Sequence, residues 1–485
     1  MKNKIICLFL LFTFILTSGF GCKTVDVKTQ EKMKPITLNY WRVWDGPDDF
    51  ADILTAYSAL HPFVTINYKK LRYDEYEQAL IEAFATDRGP DIFSIHNTWM
   101  RKYQNKGLLE PMPGTITMAY PIVQGTLKKE TIPQLSTKKS ISLNDIKNNF
   151  VDTVYDDVVI SVKDQATGIT SEKVFGLPLA LDTLSMFYNK DLFNNAGITT
   201  PPAYWNREFQ QNVKKLTKQN NKGEIIQSGV ALGGSANIDR STDILSVLMM
   251  QNGTEMMSDS GQVTFNLRPA KFGDRNYNPG LDALRFYSDF ANPAKEVYSW
   301  NNSLDNSIDM FTQNKLAIMF GYAYMLPTIR TAAPKLNFSI APLPQIEGNP
   351  DKIGFANYWV EVVSKKILTD ATNLAQGKDY ANQKMDTAWD FIQFETKAEQ
   401  VKSYLDKTKN PTALRALVDK QIDDQDISIF ASQILTAKSW YKGDDANAAE
   451  KAINDMIDAA VADQKPLNDV IENGVQKVQQ TILSQ

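Results

Sequence analysis

Runs of polar and aromatic side chains follow two apolar segments near the start of the chain. One is HNTW, residues 96–99, after the segment DIFSI, and the other is WRVWDG, residues 41–46, after ITLNY. Flat aromatic rings pack on apolar ligand faces, and amide or carboxylate groups form paired hydrogen bonds with hydroxyl groups. These residue types predict a site for a ligand that has both features, as a sugar does.

The elements around these runs indicate how they are positioned. ITLNYW alternates as a strand does, PDDFADILTAYSAL has one apolar helical face, and FVTINY, YDEYEQALIEAFAT and DIFSI continue as strand, helix and strand. This alternation predicts a parallel sheet, because parallel neighbours require a helical crossover. In open sheets of this kind, ligands bind beyond the carboxyl ends of the strands. Both runs are therefore expected at the edge of a cleft.

The residue types that support metal or nucleotide chemistry are scarce. His61 and His96 are the only histidines, and Cys7 and Cys22 are the only cysteines, which is too few for the common zinc sites. The sequence has no phosphate-binding loop, no dinucleotide fingerprint, and no serine-hydrolase or metalloprotease motif. We expect no metal and no cofactor. Carboxylates are plentiful, however, and a glycosidase needs only two, so that class of enzyme stays open.

Composition and charge limit the class of partner. The 485 residues are 43% hydrophobic and 22% charged, with a formal net charge of -4. A chain of this length has room for two or three domains with a sizeable core. It has no excess of basic residues, so we expect no nucleic-acid partner. A neutral or mixed-charge ligand fits this balance better than an anionic one.

The first 21 residues are typical of an export signal. A basic start, MKNK, precedes the apolar run IICLFLLFTFIL and the region TSGFG, which is followed by Cys22. The apolar run is shorter than the ~20 residues that cross a bilayer. We expect residues 1–21 to be removed, Cys22 to receive lipid, and residues 22–35 to tether the protein to the outer face of the membrane. Cleavage without lipid, giving a soluble secreted or periplasmic protein, is the alternative.

Four sequence blocks occur in a characteristic order. They are RGPDIFSIHNTWMRKYQNKGLLEPM, FGLPLALDTLSMFYNKDLFNNAG, DMFTQNKLAIMFGYAY with the strand APLP behind it, and AWDFIQFETKAEQ. In this order and spacing the chain resembles the family 1 extracellular solute-binding proteins of bacterial ABC importers, which include the maltodextrin-binding proteins. The resemblance covers most of the range 36–483. The long, turn-rich segment 113–171 departs from the family pattern.

The resemblance implies an α/β fold with two lobes, the type II periplasmic-binding-protein fold, whose ligand cleft lies between lobes joined by crossing strands. Lobe one would hold residues 36–177 and 356–394, with an insert at 113–171. Lobe two would hold residues 178–355 and 395–485, including the hinge strands and the C-terminal helices. A ligand that touches both lobes would stabilise the closed form.

The resemblance also implies a function without catalysis. A monomer would capture a solute and deliver it to the permease subunits of an ABC transporter. Asn, Trp and Tyr side chains suit a neutral polyol, so we expect a sugar or an oligosaccharide. A peptide or a polyamine in the same fold is the alternative ligand. An exported glycan-cleaving enzyme, or a receptor that signals to a membrane partner without transport, are the alternative functions.

Candidate ligand-binding residues follow from the expected position of the cleft. Each of the tryptophans among them could instead belong to the core. Trp300 is favoured as a ligand contact because short polar residues surround it in SWNNS. The candidates are Trp44, Asp45, Asn97 and Trp99 in lobe one, Asp182, Asn357 and Trp359 at the crossings, Asn237, Trp300, Tyr322 and Tyr324 in lobe two, and Arg415 after the turn at Asn410-Pro411.

Overall fold

The computed structural model describes residues 26–124, 130–273 and 277–482. Its strands are β1 (Ile36–Val43), β2 (Val64–Leu71), β3 (Ile92–His96), β4 (Thr115–Gln124), β5 (Glu130–Lys139), β6 (Val159–Lys163), β7 (Thr170–Val174), β8 (Gly176–Leu177), β9 (Asp182–Thr183), β10 (Ser185–Asn189), β11 (Lys218–Gln219), β12 (Ile225–Gln227), β13 (Ile318–Gly321), β14 (Phe338–Ala341), β15 (Gly354–Asn357), β16 (Trp359–Val363) and β17 (Ala437–Lys438). Its α-helices are α1 (Val27–Glu31), α2 (Pro47–Leu60), α3 (Tyr73–Ala85), α4 (Met100–Asn105), α5 (Leu143–Asn149), α6 (Asp152–Val158), α7 (Lys190–Asn195), α8 (Arg207–Leu216), α9 (Ser241–Gln251), α10 (Pro279–Asp289), α11 (Ser307–Thr312), α12 (Leu326–Ala332), α13 (Lys366–Thr369), α14 (Ala371–Ala375), α15 (Lys378–Glu395), α16 (Ala398–Thr408), α17 (Arg415–Ile422), α18 (Ser428–Gln433), α19 (Ala446–Ala462) and α20 (Leu467–Gln479).

Lobe one is built on a sheet with the strand order β2-β1-β3-β16-β8. β1 pairs in parallel with β2 and β3, whereas β16 runs antiparallel to β3 and β8. The crossover helices bury the apolar faces that the sequence shows; in α2 these are Phe50, Ile53 and Tyr57. The predicted alternation of strands and helices up to residue 96 is confirmed. The carboxyl ends of β1, β2 and β3 therefore meet at one edge of this sheet.

Lobe two contains an antiparallel sheet in the order β13-β10-β14. Every residue of α9 is buried, as expected for a helix with apolar residues on all sides. Helices α19 and α20 pack against each other and against α10. Arg240 caps the N-terminus of α9 and lines a cavity together with His96 of lobe one.

Three short strands cross between the lobes. β15 lies in the middle, antiparallel to β9 and parallel to β17. β9 contains Asp182 and β15 contains Asn357, two of the residues expected at the crossings. β17 adds a third crossing, so the chain passes between the lobes three times rather than twice.

The expected assignment of residues 395–485 to lobe two needs correction. Helix α16 packs against α2 of lobe one, because its apolar face, Val401, Tyr404 and Leu405, is buried there. Helix α17 also contacts α5 of lobe one, and the backbone at Leu414 pairs with Phe150. Helix α18 returns to lobe two, where the Gln433 side-chain amide donates to Ser185 Oγ of β10 at 2.6 Å, and the segment beyond β17, with α19 and α20, also joins lobe two.

The insert at 113–171 has regular structure. Strands β4 and β5 pair over their full ten-residue lengths, and β4 contacts α15 of lobe one. Helices α5 and α6 and the hairpin of β6 and β7 complete the segment. The insert thus widens lobe one on the side where β17 crosses, because α6 contacts β17.

Part of the expected tether is docked on lobe one. Asp26 caps α1 by accepting a hydrogen bond from the Thr29 backbone N–H at 3.0 Å, and Thr29 is buried. The Gln383 side-chain amide donates to the Lys32 carbonyl at 2.6 Å. Residues 26–32 are therefore part of the folded body rather than an extended linker. The expected signal peptide, residues 1–21, and Cys22 lie outside the described residues.

None of the helices in the described ranges has both the length and the apolar character that crossing a bilayer requires.

Candidate functional site

The loop after β1 directs a tryptophan ring out of lobe one. Trp44 has a positive φ of 72°, a conformation uncommon for a bulky residue, and 52% of it is exposed. Its ring stacks on Tyr73, the first residue after the Arg72 cap of α3, with centroids 5.0 Å apart and an interplanar angle of 19°. Two adjacent strand ends of lobe one thus supply one aromatic surface.

Lobe two adds two rings in parallel. Tyr324 lies in the turn after β13, is 49% exposed, and stacks on Trp44 with centroids 6.4 Å apart. On its other side it stacks on Tyr322 at 5.7 Å. Tyr322 is buried and donates its hydroxyl to Asp243 at 2.6 Å, so it supports Tyr324 rather than offering a face of its own. We call Tyr73, Trp44, Tyr324 and Tyr322 the ring ladder.

Trp359, at the start of β16, lies behind the ring ladder. It is half-buried and makes edge contacts with Tyr73 at 6.2 Å, His96 at 5.7 Å and Trp99 at 5.5 Å. Trp99 itself is buried and stacks on Tyr103. The expectation that Trp99 meets the ligand is therefore corrected: its ring supports Trp359 from the core.

His96 is held as a neutral group. Its Nδ1 lies 2.7 Å from Thr98 Oγ1, and its Nε2 lies 3.3 Å from Asn357 Oδ1. Burial, with a smaller effect of the Arg240 charge, lowers the pKa of His96 to about 4. The imidazole can therefore donate through one nitrogen and accept through the other at neutral pH.

Lobe two presents a charged group to the same region. Arg240 binds Asp243 in a bidentate manner, with two N–O distances of 2.8 Å, and Glu450 of α19 at 3.1 Å. Burial raises the pKa of Glu450, and Arg240 opposes this rise. These three residues, the Arg240 cluster, fix two carboxylates and one guanidinium opposite His96.

A small cavity of about 40 Å³ separates His96 from the Arg240 cluster. This volume holds only a few water molecules, so the lobes nearly meet here. Its lining comes from both lobes and from the crossings, and includes His96, Asn97, Thr98, Arg240, Asp243, Ser246, Asn357, Trp440 and Glu450.

Asn97 lines this cavity and carries an unpaired acceptor. Its Nδ2 donates to Asp157 at 3.1 Å, and Asp157 is also held by the hydroxyls of Tyr358 at 2.6 Å and Ser439 at 2.7 Å. Within the described ranges the buried Oδ1 of Asn97 has no hydrogen-bond partner. A donor on a ligand would satisfy it.

Asp182, at the first crossing, positions the Tyr324 turn. Its carboxylate accepts hydrogen bonds from the backbone N–H groups of Thr183 at 2.8 Å and Tyr324 at 3.3 Å. Burial raises the pKa of Asp182 to about 7, despite these hydrogen bonds. Asp182 therefore links Tyr324 of the ring ladder to the first strand that crosses between the lobes.

Two expected contacts of lobe two are structural. Trp300 is fully buried and donates its Nε1–H to Asn237 Oδ1 at 2.8 Å. The Asn237 amide donates in turn to the carbonyls of Asn301 at 3.0 Å and Leu304 at 2.9 Å. Both residues fix a loop of lobe two, and the expectation that they contact ligand is corrected. The polar neighbours of Trp300 form the loop around it and do not expose its ring.

Two further candidates are occupied by ion pairs. Asp45 lies 3.2 Å from Arg42 and accepts the Tyr404 hydroxyl at 2.9 Å, inside lobe one. Arg415 pairs with Asp152 at 2.5 Å and does not line the small cavity. Asp45 and Arg415 are thus held by protein groups in this structure, and ligand binding by either residue stays a prediction.

Several residues of the site were not among the sequence candidates. The sequence pattern could have identified Tyr73, because this residue follows β2 at the same edge of the sheet as Trp44. No sequence pattern could have identified the Arg240 cluster, since Glu450 comes from a helix far along the chain. Trp440 lines the small cavity, and its Nε1–H donates to Ser246 at 3.1 Å.

The assembled site has groups that can bind an organic ligand, and no metal centre is found in the described ranges. Aromatic faces, a free amide oxygen and fixed charges surround it. The described ranges contain no group of three or more His, Cys, Asp and Glu residues that could hold a metal ion.

Known proteins are similar to this chain in sequence or in fold. A binding protein of Brucella abortus (strain 2308) is 23% identical over 296 residues, which cover 61% of this chain and 59% of that relative. The maltotriose-binding protein of Pyrococcus abyssi is 22% identical over 440 residues, 90% of this chain and 78% of the relative. The crystal structure of the cyclic alpha-maltosyl-1,6-maltose binding protein from Arthrobacter globiformis superposes with a TM-score of 0.66 at 17% identity, covering 92% of this chain and 99% of that one.

The predicted two-lobe fold is confirmed by this structural similarity. Residues 45–402 match the model of the bacterial extracellular solute-binding proteins. Because the match spans well over half of the sequence, this chain belongs to the family of bacterial extracellular solute-binding proteins.

Proposed function

We propose that this protein captures a carbohydrate, a sugar or an oligosaccharide, between its two lobes. The observation that carries the proposal is the ring ladder. Trp44 and Tyr73 come from lobe one and Tyr324 from lobe two, and all three are about half exposed. Parallel aromatic faces pack on the apolar faces of sugar rings. A ligand that touches both lobes would also stabilise their closure.

Polar groups beside the ladder suit a neutral, hydroxyl-rich ligand. The Oδ1 of Asn97, which has no partner within the described ranges, can accept a hydrogen bond. Neutral His96, which is hydrogen-bonded to Thr98 and Asn357, adds no charge to the site. The Arg240 cluster has hydrogen-bonding atoms of both kinds in fixed positions. The names of the Pyrococcus and Arthrobacter proteins, which bind maltotriose and a cyclic maltosyl-maltose, support a carbohydrate as the ligand.

Delivery to a transporter is the second part of the proposal. We infer that a monomer, exported by residues 1–21 and anchored through lipid on Cys22, passes its ligand to the permease subunits of an ABC importer at the outer face of the membrane. The signal-like sequence of residues 1–22 and the family membership support this location.

We also propose that the protein binds without cleaving. A glycosidase needs one carboxyl group as an acid and a second as a base or nucleophile. In the Arg240 cluster, Asp243 and Glu450 both accept hydrogen bonds from the same guanidinium, so neither carboxyl group is free to act on a glycosidic bond. Incubation with oligosaccharides, followed by chromatography, should release no shorter product.

A thermal-shift screen of the chain from Lys23 onward tests the proposal. Mono- and oligosaccharides are compared with amino acids, peptides and polyamines. A ligand at 100 times its Kd adds about 2.7 kcal/mol to the free energy of unfolding, which should raise the Tm by a few degrees. We expect one carbohydrate class to do so. Silence across all carbohydrates would refute the carbohydrate assignment.

A cationic ligand is the second candidate. Asp243 and Glu450 outnumber the single guanidinium of the Arg240 cluster, and this local excess of carboxylates favours a polyamine or a basic peptide. A thermal shift with spermidine alone, weakened by 0.5 M salt, would select this candidate over a sugar.

A further inference from the structure

A buried carboxyl group of the insert is hydrogen-bonded to the turn that carries Asn97. Asp157 lies in α6, is 6% exposed, and accepts a hydrogen bond from Asn97 Nδ2 at 3.1 Å. The backbone N–H of Asn97 donates to the Tyr358 carbonyl at 3.0 Å, and α6 packs against the turn Asn97–Trp99. The insert, which departs from the family pattern, therefore reaches the candidate site from within lobe one.

The same carboxyl group holds the segment that follows β17. Ser439 donates its hydroxyl to Asp157 at 2.7 Å, and Thr153 Oγ1 of α6 lies 3.2 Å from Ser439 Oγ. The Tyr358 hydroxyl also donates to Asp157, at 2.6 Å. Asn97 and Ser439 both line the small cavity. Asp157 does not line that cavity itself but connects two residues that do.

The ionisation of Asp157 decides which atom of the Asn97 amide faces it. Burial raises the pKa of Asp157, and the charge of Lys442 and the three hydrogen bonds oppose this rise. Three donors to one carboxyl group favour its ionised form, which only accepts hydrogen bonds. The amide nitrogen of Asn97 must therefore face Asp157. The amide oxygen, which has no partner within the described ranges, is the atom left for a donor on a ligand.

We propose that Asp157 is a positioning residue for ligand binding, because it holds the Asn97 amide with its oxygen available to a hydroxyl group of the carbohydrate. The inference rests on the proposed function and adds to it a role for the insert. An asparagine amide without this partner can turn over about its last side-chain torsion and present its N–H group instead. The proton of the ligand hydroxyl would then lose its acceptor. Asp157 thus acts on the ligand through Asn97 and not by contact.

A double-mutant cycle on ligand affinity tests this role. Titration calorimetry gives the Kd of the carbohydrate with the largest thermal shift in the screen, for wild type, Asp157→Leu, Asn97→Ala and the double variant. Leucine keeps the branched shape of aspartate but has no acceptor. Asp157→Asn is the conservative variant, because its amide oxygen can still accept from Asn97 Nδ2. Asp156→Ala is the matched control, since Asp156 is an exposed carboxylate of the same helix.

Thermal unfolding without ligand checks that each variant folds. If Asp157→Leu does not fold, Asp157→Ala, which also removes the acceptor, replaces it in the cycle. A residue that only stabilised the fold would lower the Tm without making its effect on the Kd depend on Asn97. The cycle therefore separates positioning of the Asn97 amide from general stabilisation of lobe one.

We expect Asp157→Leu and Asn97→Ala each to raise the Kd about five- to tenfold, as the loss of one hydrogen bond does. The double variant should stay within about twofold of the weaker-binding single variant, and Asp157→Asn and Asp156→Ala within about twofold of wild type. Effects that multiply in the double variant would overturn the inference. A wild-type Kd for Asp157→Leu would also overturn it, while carbohydrate capture would stand. Failure of every carbohydrate to bind would refute the proposed function and the inference together.

Discussion

The ring of Trp44 lies parallel to the ring of Tyr324, with centroids 6.4 Å apart and an interplanar angle of 15°, although the two residues belong to opposite lobes. Aromatic pairs at this spacing attract each other. The contact therefore favours lobe closure before any ligand is present. A ligand ring that binds between the two side chains must replace it.

Removal of the Trp44 ring should open the ligand-free protein. The lost ring contact is worth about 0.5–1.5 kcal/mol, which changes a two-state population ratio by about two- to twelvefold. Small-angle scattering should show a larger radius of gyration for Trp44→Ala than for wild type. Tyr204→Ala is the control, since Tyr204 is exposed and has no part in the ring ladder. An unchanged radius for Trp44→Ala would contradict a closing role for this contact.

A buried charge network supports the loop that carries Trp44. Arg42 contacts Asp45 at 3.2 Å and Glu361 at 3.3 Å and donates to Ser94 at 3.1 Å. Glu395 is buried nearby, and its pKa is raised by burial and by the charge of Glu361. Arg42 is thus the cation beside the buried carboxyl groups of Asp45, Glu361 and Glu395.

Replacement of Arg42 should strongly destabilise the protein. Arg42→Met keeps part of the packing but leaves the carboxylates without a cation, a loss of about 3–5 kcal/mol for a broken buried ion pair. Urea unfolding at pH 7 measures it. Arg88→Met, at an exposed arginine, should stay within about 0.5 kcal/mol of wild type. A loss of similar size in the two variants would show that the network does not stabilise lobe one.

Asp182 should make stability fall as pH rises. The pKa of Asp182 is about 7 in the folded chain, against an ordinary value of 3.8. Between these values the folded state binds more protons at Asp182 than the unfolded state, so the free energy of unfolding decreases with pH by up to about 4 kcal/mol. Urea unfolding of Asp182→Asn at pH 4.5 and pH 7 should show this decrease removed. Identical pH dependence in wild type and variant would disprove the shift.

His96 should make the free energy of unfolding fall as the pH is lowered, the opposite of the effect of Asp182. Its folded pKa is about 4, below the ordinary 6.5, so the unfolded chain binds more protons between these values. The free energy of unfolding therefore falls as pH is lowered from about 6.5 to 4, by up to about 3 kcal/mol. His96→Gln retains a donor and an acceptor and should be less sensitive to acid in this range. A variant as acid-sensitive as wild type would mean that another group causes the loss.

The sequence predicted those parts of the site that depend on local pattern. Trp44 and Asn97 follow strands whose periodicity is clear, and parallel strands bring such ends to one edge. Tyr73 obeys the same rule after β2 and was still overlooked, because its segment reads as the start of a helix. The parallel strands of lobe one are therefore readable from spacing, whereas the two-lobe fold was expected from the family resemblance.

The site residues of lobe two were harder to predict from the sequence, because the burial of each side chain depends on contacts with residues far along the chain. Nothing near Trp300 in the sequence indicates that its Nε1–H is paired with Asn237. Arg240 has a left-handed backbone conformation and meets Glu450 from the C-terminal helices. The position of α16 on lobe one likewise follows from its buried face against α2. None of these long-range pairings leaves a periodic signal.

Calorimetric titration of the best carbohydrate into wild type, Trp44→Ala and Tyr324→Ala tests the central claim most directly. If the sugar binds between the lobes against the ring ladder, each substitution should raise the Kd about tenfold or more, equivalent to about 1.4 kcal/mol, while Tyr204→Ala stays within about twofold. Wild-type affinity in both ladder variants would contradict a carbohydrate site between these two rings.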